Sequence, residues 1–304
     1  MDNFKTGVIG LGAMGAPIAR HLASQNLLAG VWNRTTRKAE LLAVELGVRP
    51  EDSPAALAGR SNILLTCVSA DDDLESVITQ AKPGLKRGDV VIDTSTVSPV
   101  LTRRLAEQLD HMDVGFVDAP VSGGVEGAVN GRLSVMAGGD FATFSRVLPV
   151  LESFSSTVTH MGPAGSGQAT KAVNQVIVGG LAEAVCEALA LSEKLNLPSE
   201  RLLSVLSGGA ADSWFLRHRG KSMLENRFET GFKLSLLLKD LKIIRALARE
   251  LDIEMHTVDT AIGDYEALVA AGDGDNDISG LIKRKRKQMS ADRIEQDGNN
   301  NRNV

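Results

Sequence analysis

A short apolar stretch, Thr6 to Ile9, runs straight into G-L-G-A-M-G at Gly10, Leu11, Gly12, Ala13, Met14 and Gly15. Ile18, Ala19, Leu22 and Ala23 then repeat at helical spacing. Strand, glycine turn and helix in that order form a narrow prescription. The first glycine permits the tight turn, the second lets a pyrophosphate approach the backbone, and the third allows the helix to pack closely on the strand. Phosphates then meet the free N–H groups and the dipole of the helix N-terminus. A glycine-rich turn alone occurs in many folds; the flanking elements are what point to a dinucleotide.

The next strand, Ala29 to Trp32, ends in Asn33, Arg34 and Thr35. An NAD-selective fold usually places an acidic residue here to hold the ribose 2′-hydroxyl. A carboxylate would repel a 2′-phosphate, whereas Arg34 can pair with one and stack on the adenine. This predicts NADP (as NADPH), with NAD still possible. The bland alternative is an exposed arginine in a strand–helix loop.

Further strands are predicted over Asn62 to Val68, Asp89 to Asp93, Val114 to Val117, Leu133 to Ala137 and Ser156 to His160, with a helix over Asp71 to Gln80. The alternation predicts an α/β fold, a doubly wound sheet over residues 1–162. Ser98 before Pro99 reads as a helix N-cap. Thr94 to Thr96 lie at a strand's carboxyl end, the edge where such sheets bind ligands. At Ser122, Gly123 and Gly124, consecutive glycines let N–H groups converge on a small carboxylate, and a hydroxyl adds a donor. The same spacing suits a turn whose glycines only satisfy the backbone.

P-A-G-S-G-Q-A-T-K-A-V-N-Q, Pro163 to Gln175, breaks the chain at Gly165 and Gly167 before a long helix reaching about Leu195. Lys171 and Asn174, three apart, share a helix face. Small residues along this helix predict close contacts and a central spine. Helical patterns follow over Glu200 to Ser207, Asp212 to Leu224, Leu234 to Glu250, His256 to Ala270 and Ile278 to Lys287. Residues 163–290 are therefore predicted all-helical, and the polar segment 291–304 disordered.

Composition excludes several classes. A net charge of −5 gives no general attraction to nucleic acid. The K-R-K-R-K run at Lys283 to Lys287 lacks aromatic interleaving and reads as a solvated helix end rather than a nucleic-acid or nuclear-import signal. The two cysteines, Cys67 and Cys186, stand far apart in apolar runs, which argues against a disulfide or a thiolate zinc site. The five histidines show no metal-ligand spacing. There is no signal peptide, and no apolar run approaches the roughly 20 residues of a membrane span. A cytoplasmic protein without membrane contact is expected.

Four motifs now stand in order: G-L-G-A-M-G, D-A-P-V-S-G-G at Asp118 to Gly124, G-S-G-Q-A-T-K-A-V-N-Q at Gly165 to Gln175, and K-D-L at Lys239 to Leu241. Together they resemble the β-hydroxyacid dehydrogenase family, over about Thr6 to Leu281. The resemblance implies an N-terminal Rossmann-like domain followed by an all-α C-terminal domain. It implies that Lys171 is the catalytic acid/base, that Ser122, Gly123 and Gly124 hold the substrate carboxylate, and that Asn174 orients the substrate. Thr96 would lie beside the nicotinamide, Val68 and Ser69 would line the cofactor cleft, and Lys239 and Asp240 would close the site from the helical domain. Trp214 and Phe215 fall where members vary a specificity wall; the alternative is core packing.

Many members carry two asparagines after the lysine, whereas Asn174-Gln175 here resembles the tartronate semialdehyde reductases. V-W-N-R-T at Val31 to Thr35 instead resembles the NADPH-using glyoxylate and succinic semialdehyde reductases, so the substrate stays open. The implied reaction interconverts a small carboxylate-bearing aldehyde and its hydroxyacid. A free lysine titrates at about 10.4, so service as a base needs burial or a neighbouring cation, for which Lys239 is the candidate. A catalytically silent NADP-binding scaffold and an imine reductase on the same fold are the alternatives. A 6-phosphogluconate dehydrogenase would need a longer helical half and a phosphate-binding set not found here. The apolar helical half predicts a homodimer or homotetramer.

Overall fold

The structure, a computed structural model, describes residues 4–300, with side chains described through residue 290. The chain divides into two compact units, Met1–Val173 and Asn174–Val304. The division falls inside the helix that follows residue 162. The physical reason is that Gly165 and Gln168, at the start of that helix, hydrogen-bond to the sheet unit.

The first unit alternates strands and helices: β1 (Thr6–Ile9), α1 (Gly15–Ser24), β2 (Leu28–Trp32), α2 (Thr36–Leu46), β3 (Arg49–Pro50), α3 (Pro54–Arg60), β4 (Ile63–Thr66), α4 (Asp71–Ala81), β5 (Val90–Asp93), α5 (Pro99–Asp110), β6 (Gly115–Asp118), β7 (Val121–Ser122), α6 (Gly124–Val129), β8 (Leu133–Gly138), α7 (Phe141–Glu152) and β9 (Ser155–Gly162). The strand order is β3-β2-β1-β4-β5-β6-β8-β7, with β9 paired to β8. Strands β1 to β6 pair in parallel, while β8 runs antiparallel to β6 and β7. The order reverses beside β1, which leaves a crevice at the carboxyl ends of β1 and β4.

Side-chain alternation explains why helices cover both faces. Val8 faces one core with Ile18 and Leu22 of α1, while Ile9 faces the other with Leu74 and Ile78 of α4. In β4, Ile63 and Leu65 join the first core and Leu64 the second. Every residue of β1, β4 and β5 is buried, as parallel strands sandwiched by helices must be. Ser98 caps α5, accepting from the Leu101 N–H at 3.1 Å, with Pro99 in the first turn, as expected.

The long helix α8 (Ser166–Lys194) begins in the first unit and continues into the second, followed by α9 (Ser199–Ser207), α10 (Trp214–Leu224), α11 (Leu234–Glu250), α12 (His256–Ala270) and α13 (Leu281–Asn300). Its small residues do bring helices close: a Cβ on Gly179 would sit 3.1 Å from Leu241 of α11. Among the described residues one isolated bridge, Lys233 to Asp277, departs from the all-helical expectation. By length and composition alone α8 is long and apolar enough to cross a membrane, contrary to the expectation that no run approaches that length. Small apolar residues raise its hydropathy, yet Glu183 on the same helix is ion-paired within the helical unit. The expected disordered tail, 291–304, falls on side chains and a last four residues outside those described.

The basic run is not the solvated helix end that was expected. Lys285 is 5% exposed and sits between Asp264, at 2.6 Å, and Glu183. Arg284 pairs with Asp264 at 3.1 Å, Lys283 with Asp273 at 2.8 Å, and Arg286 with Glu193 at 2.6 Å. The run therefore ties α13 to α8 and α12. Burial pushes the Glu183 carboxyl up, only partly offset by Lys285. Burial also works against ionised Asp264 and Lys285, but their mutual bonds outweigh it and hold both in the charged form.

Candidate active site

The glycine loop after β1 has the geometry its sequence predicts. Gly10 has φ of 91°, and a Cβ there would meet the Cys67 carbonyl oxygen at 2.2 Å. A Cβ on Gly15 would come within 1.9 Å of the Gly10 oxygen, so α1 starts hard against the turn. Gly12 faces open space, with nothing within 4 Å of its would-be Cβ. That opening, at an N-terminal helix turn, fits the pyrophosphate of a dinucleotide.

Asn33 fastens this loop to the end of β2. Its Oδ1 accepts from the Leu11 N–H at 2.9 Å, and its Nδ2 donates to the Thr35 carbonyl at 3.1 Å. Arg34 is highly exposed and pairs with Asp73 of α4 at 2.8 Å. The sequence reading missed this acidic partner; D-D-D at the start of α4 was the available signal. Val68 is held by its N–H donating to Ser95 Oγ at 2.9 Å, and Ser69 beside it is exposed. The carboxyl ends of β1, β2, β4 and β5 thus bring Gly10–Gly15, Asn33–Thr35, Val68, Ser69 and Thr96 to one edge of the sheet.

Lys171 is 7% exposed, one turn after Gln168, itself 2% exposed. The Gln168 side chain straddles Thr96: its Nε2 donates to the Ser95 carbonyl at 2.8 Å and its Oε1 accepts from the Val97 N–H at 3.2 Å. Below it, the Asp118 carboxylate ends β6 and accepts from the Gly165 N–H at 2.8 Å and the Gln168 N–H at 2.9 Å. Burial pushes Asp118 up to about 6, against the pull of those two bonds and with nearby Asp93 adding to the rise. Neither Asp118 nor Gln168 was singled out from sequence. Ser122 is half-buried, and Gly123 and Gly124 have φ of 130° and 62°, so the turn itself requires both glycines.

In the helical unit Asn174 Nδ2 donates to Gln175 Oε1 at 2.8 Å, and Gln175 Nε2 donates to Asp240 Oδ2 at 2.6 Å. Lys239 pairs with the other oxygen of Asp240 at 2.9 Å. Gln175, where many members have asparagine, is a buried strut from α8 to α11. Trp214 and Phe215 part company: Phe215 is core, while Trp214 is half-exposed and stacked on His218 with centroids 4.2 Å apart. Among the described residues no cluster of His, Cys, Asp and Glu could hold a metal.

Comparison with known proteins decides the family. Residues 5–162 match the family described as the NAD binding domain of 6-phosphogluconate dehydrogenase, and residues 165–284 that described as NAD-binding of NADP-dependent 3-hydroxyisobutyrate dehydrogenase. The chain belongs to the β-hydroxyacid dehydrogenase family. It is 35% identical over 283 residues to 2-hydroxy-3-oxopropionate reductase of Escherichia coli (strain K12), covering 92% of this chain and 96% of that one. It is also 36% identical to an uncharacterized oxidoreductase of Shewanella frigidimarina, over 94% of this chain and 99% of the relative. Among solved structures, Mycobacterium tuberculosis 3-hydroxyisobutyrate dehydrogenase with L-serine superposes with a TM-score of 0.85 at 28% identity, over 93% and 99% of the two chains. This dehydrogenase is therefore an NAD(P)-dependent oxidoreductase of the hydroxyacid class.

Proposed function

We propose that this dehydrogenase uses NADPH to reduce a small carboxylate-bearing aldehyde, a semialdehyde or glyoxylate, to its hydroxyacid, and runs the reverse reaction with NADP. The observation that carries the reading is a nearly fully buried lysine, Lys171, one turn from a glutamine clamped to the loop around Thr96. The 2-hydroxy-3-oxopropionate in the name of one relative and the L-serine in the mycobacterial structure both carry a carboxylate near an oxygen-bearing carbon, which supports this substrate class.

The nicotinamide, when bound, supplies or accepts hydride at the carbonyl carbon. Lys171 as the ammonium gives its proton to the oxygen on which negative charge develops; as the neutral amine it takes the proton back in oxidation. Ser122, Gly123 and Gly124 offer a hydroxyl and N–H groups to the carboxylate. Asn174, Lys239, Asp240 and Trp214 are assigned to substrate from the helical unit on the family resemblance. Gly10–Gly15, Asn33, Arg34, Thr35, Val68, Ser69, Thr96 and also Lys239 would hold the dinucleotide, with Arg34 and Thr35 at the 2′-phosphate.

Lys171→Ala tests the core of this reading. Turnover should fall by about 10²–10⁴-fold with NADPH binding nearly unchanged; wild-type kcat in the variant would refute the assignment. Assay of glyoxylate, succinic semialdehyde, tartronate semialdehyde and methylmalonate semialdehyde selects the substrate. Tight NADPH binding without turnover of any of them favours the silent scaffold, and turnover of cyclic imines favours an imine reductase. We also propose a homo-oligomer in which a second copy covers the outward stripe of α8, where Val173, Ile177, Leu181 and Leu191 are 63%, 57%, 38% and 50% exposed. A monomer mass in sedimentation would remove that proposal.

A further inference from the structure

The buried polar groups around the start of α8 do more than close a helix end. Asp118 buries a carboxylate completely, where a serine or threonine hydroxyl would cap the same turn at far lower desolvation cost. The surroundings are cut to fit that carboxylate. A Cβ on Gly138 would stand 2.5 Å from Asp118 Oδ1, and one on Gly167 would stand 2.8 Å from Oδ2. Two glycines on different elements therefore clear the space into which the carboxylate reaches. Each oxygen then takes a separate N–H, from Gly165 and from Gln168. The pair fixes both the height and the rotation of the first helical turn.

Gln168 fixes the same turn from another side. Its amide pairs with the Ser95 carbonyl and the Val97 N–H as a peptide group in a sheet would, one bond on either side of Thr96. Asp118 also leads directly into the chain that forms the Ser122–Gly124 turn. One short hydrogen-bonded set thus joins three places: the turn before Lys171, the loop carrying Thr96, and the segment carrying the proposed carboxylate cradle.

We propose that Asp118 and Gln168 are positioning residues, which set the Lys171 turn in register with Thr96 and with Ser122–Gly124 so that the amine meets the reacting oxygen. This rests on the acid/base role proposed for Lys171. Neither residue touches substrate in the proposal; both act through the lysine. A misplacement of about 1 Å in a reacting group costs about 100-fold in rate, which is the effect expected from loosening the turn.

The test pairs Asp118→Asn with Gln168→Ala. Asparagine keeps the shape but turns one acceptor into a donor facing an N–H. Each variant should lower kcat by about 100-fold, leave KM for the aldehyde within a few-fold, and leave NADPH affinity, read by nicotinamide fluorescence, within a few-fold. Hydrogen exchange at the Gly165 and Gln168 amides should quicken in Asp118→Asn. In a Lys171→Ala background neither change should lower the residual rate further. Wild-type kcat in both variants, or the same fold-loss with and without Lys171, would overturn the proposal. If Asp118→Asn does not fold, Gln168→Ala alone decides by the same kcat and background readings. A Lys171→Ala enzyme with full turnover would instead sink the acid/base reading, while the exchange measurement would still report whether Asp118 holds the turn.

Discussion

The two units bury charge in different ways. In the sheet unit, Asp118 is met by backbone N–H groups of a helix start. In the helical unit, Lys285 is met by the side chains of Glu183 and Asp264. Backbone donors sit at fixed points along a helix, so a carboxylate bound to them dictates where the next turn lies. Side-chain partners swing, so the ionic cluster ties three helices together without specifying an atom's position to the same tolerance. The first device suits chemistry one turn away; the second suits cohesion.

The sharpest way to break this contrast is Lys285→Met, which leaves Glu183 and Asp264 facing each other in the interior. It should cost about 3–5 kcal/mol of stability by thermal or denaturant unfolding. The kcat of the folded fraction should stay near wild type. A large kcat loss with little change in stability would mean that the ionic cluster also positions the site.

Acid titration separates the units next. The folded value for Asp118, about 6, lies above the ordinary aspartate value of 3.8. Between those values the folded chain binds more protons than the unfolded one, so the Asp118 contribution to stability rises as pH falls from about 6 toward 4, by up to ~3 kcal/mol. The neutral carboxyl keeps one full acceptor oxygen while its protonated oxygen accepts only weakly, so its hold on the two N–H groups loosens. Turnover should therefore fall over the same window in which this stability term rises. Carbon-13 titration of Asp118 beside a pH–rate profile checks both signs; an Asp118 that titrates below 4 would contradict them.

The smallest effect lies at the rim. Arg34 is held by Asp73 at 2.8 Å, so a 2′-phosphate bound as proposed would compete with that carboxylate. Asp73→Asn should tighten NADPH by at most about fivefold and leave NADH unchanged, because exposed pairs are worth up to about 1 kcal/mol. Arg34→Ala should abolish that difference. Equal tightening of both cofactors would remove Arg34 from the 2′-phosphate.

What could be read in the sequence was what depends on neighbours in the chain. The strand–glycine–helix start, the Ser98-Pro99 cap and the helix carrying Lys171 all follow from local spacing, and all are present. Strands β3 and β7, of two residues each, are too short to leave a periodic trace. The antiparallel setting of β8 leaves none either, because pairing direction is a property of partners, not of a strand's own residues. The same limit hid the roles of the basic run and of Asp118. Lys285 finds Glu183 and Asp264 on other helices, and Asp118 finds Gly165 and Gln168 more than forty positions along the chain. Gly138 and Gly167 were visible as glycines, but nothing local said they stand clear of a carboxylate.

The closing helix also bears on how short basic stretches are interpreted. Of the five consecutive cations from Lys283 to Lys287, the first four are engaged with acidic partners and only Lys287 is exposed. A transport receptor that grips an extended lysine–arginine peptide would find the letters of its address locked in a coil and turned inward. To read them it would have to unwind α13 and strip five ion pairs from the helical unit, so the folded chain withholds a signal that its spelling advertises.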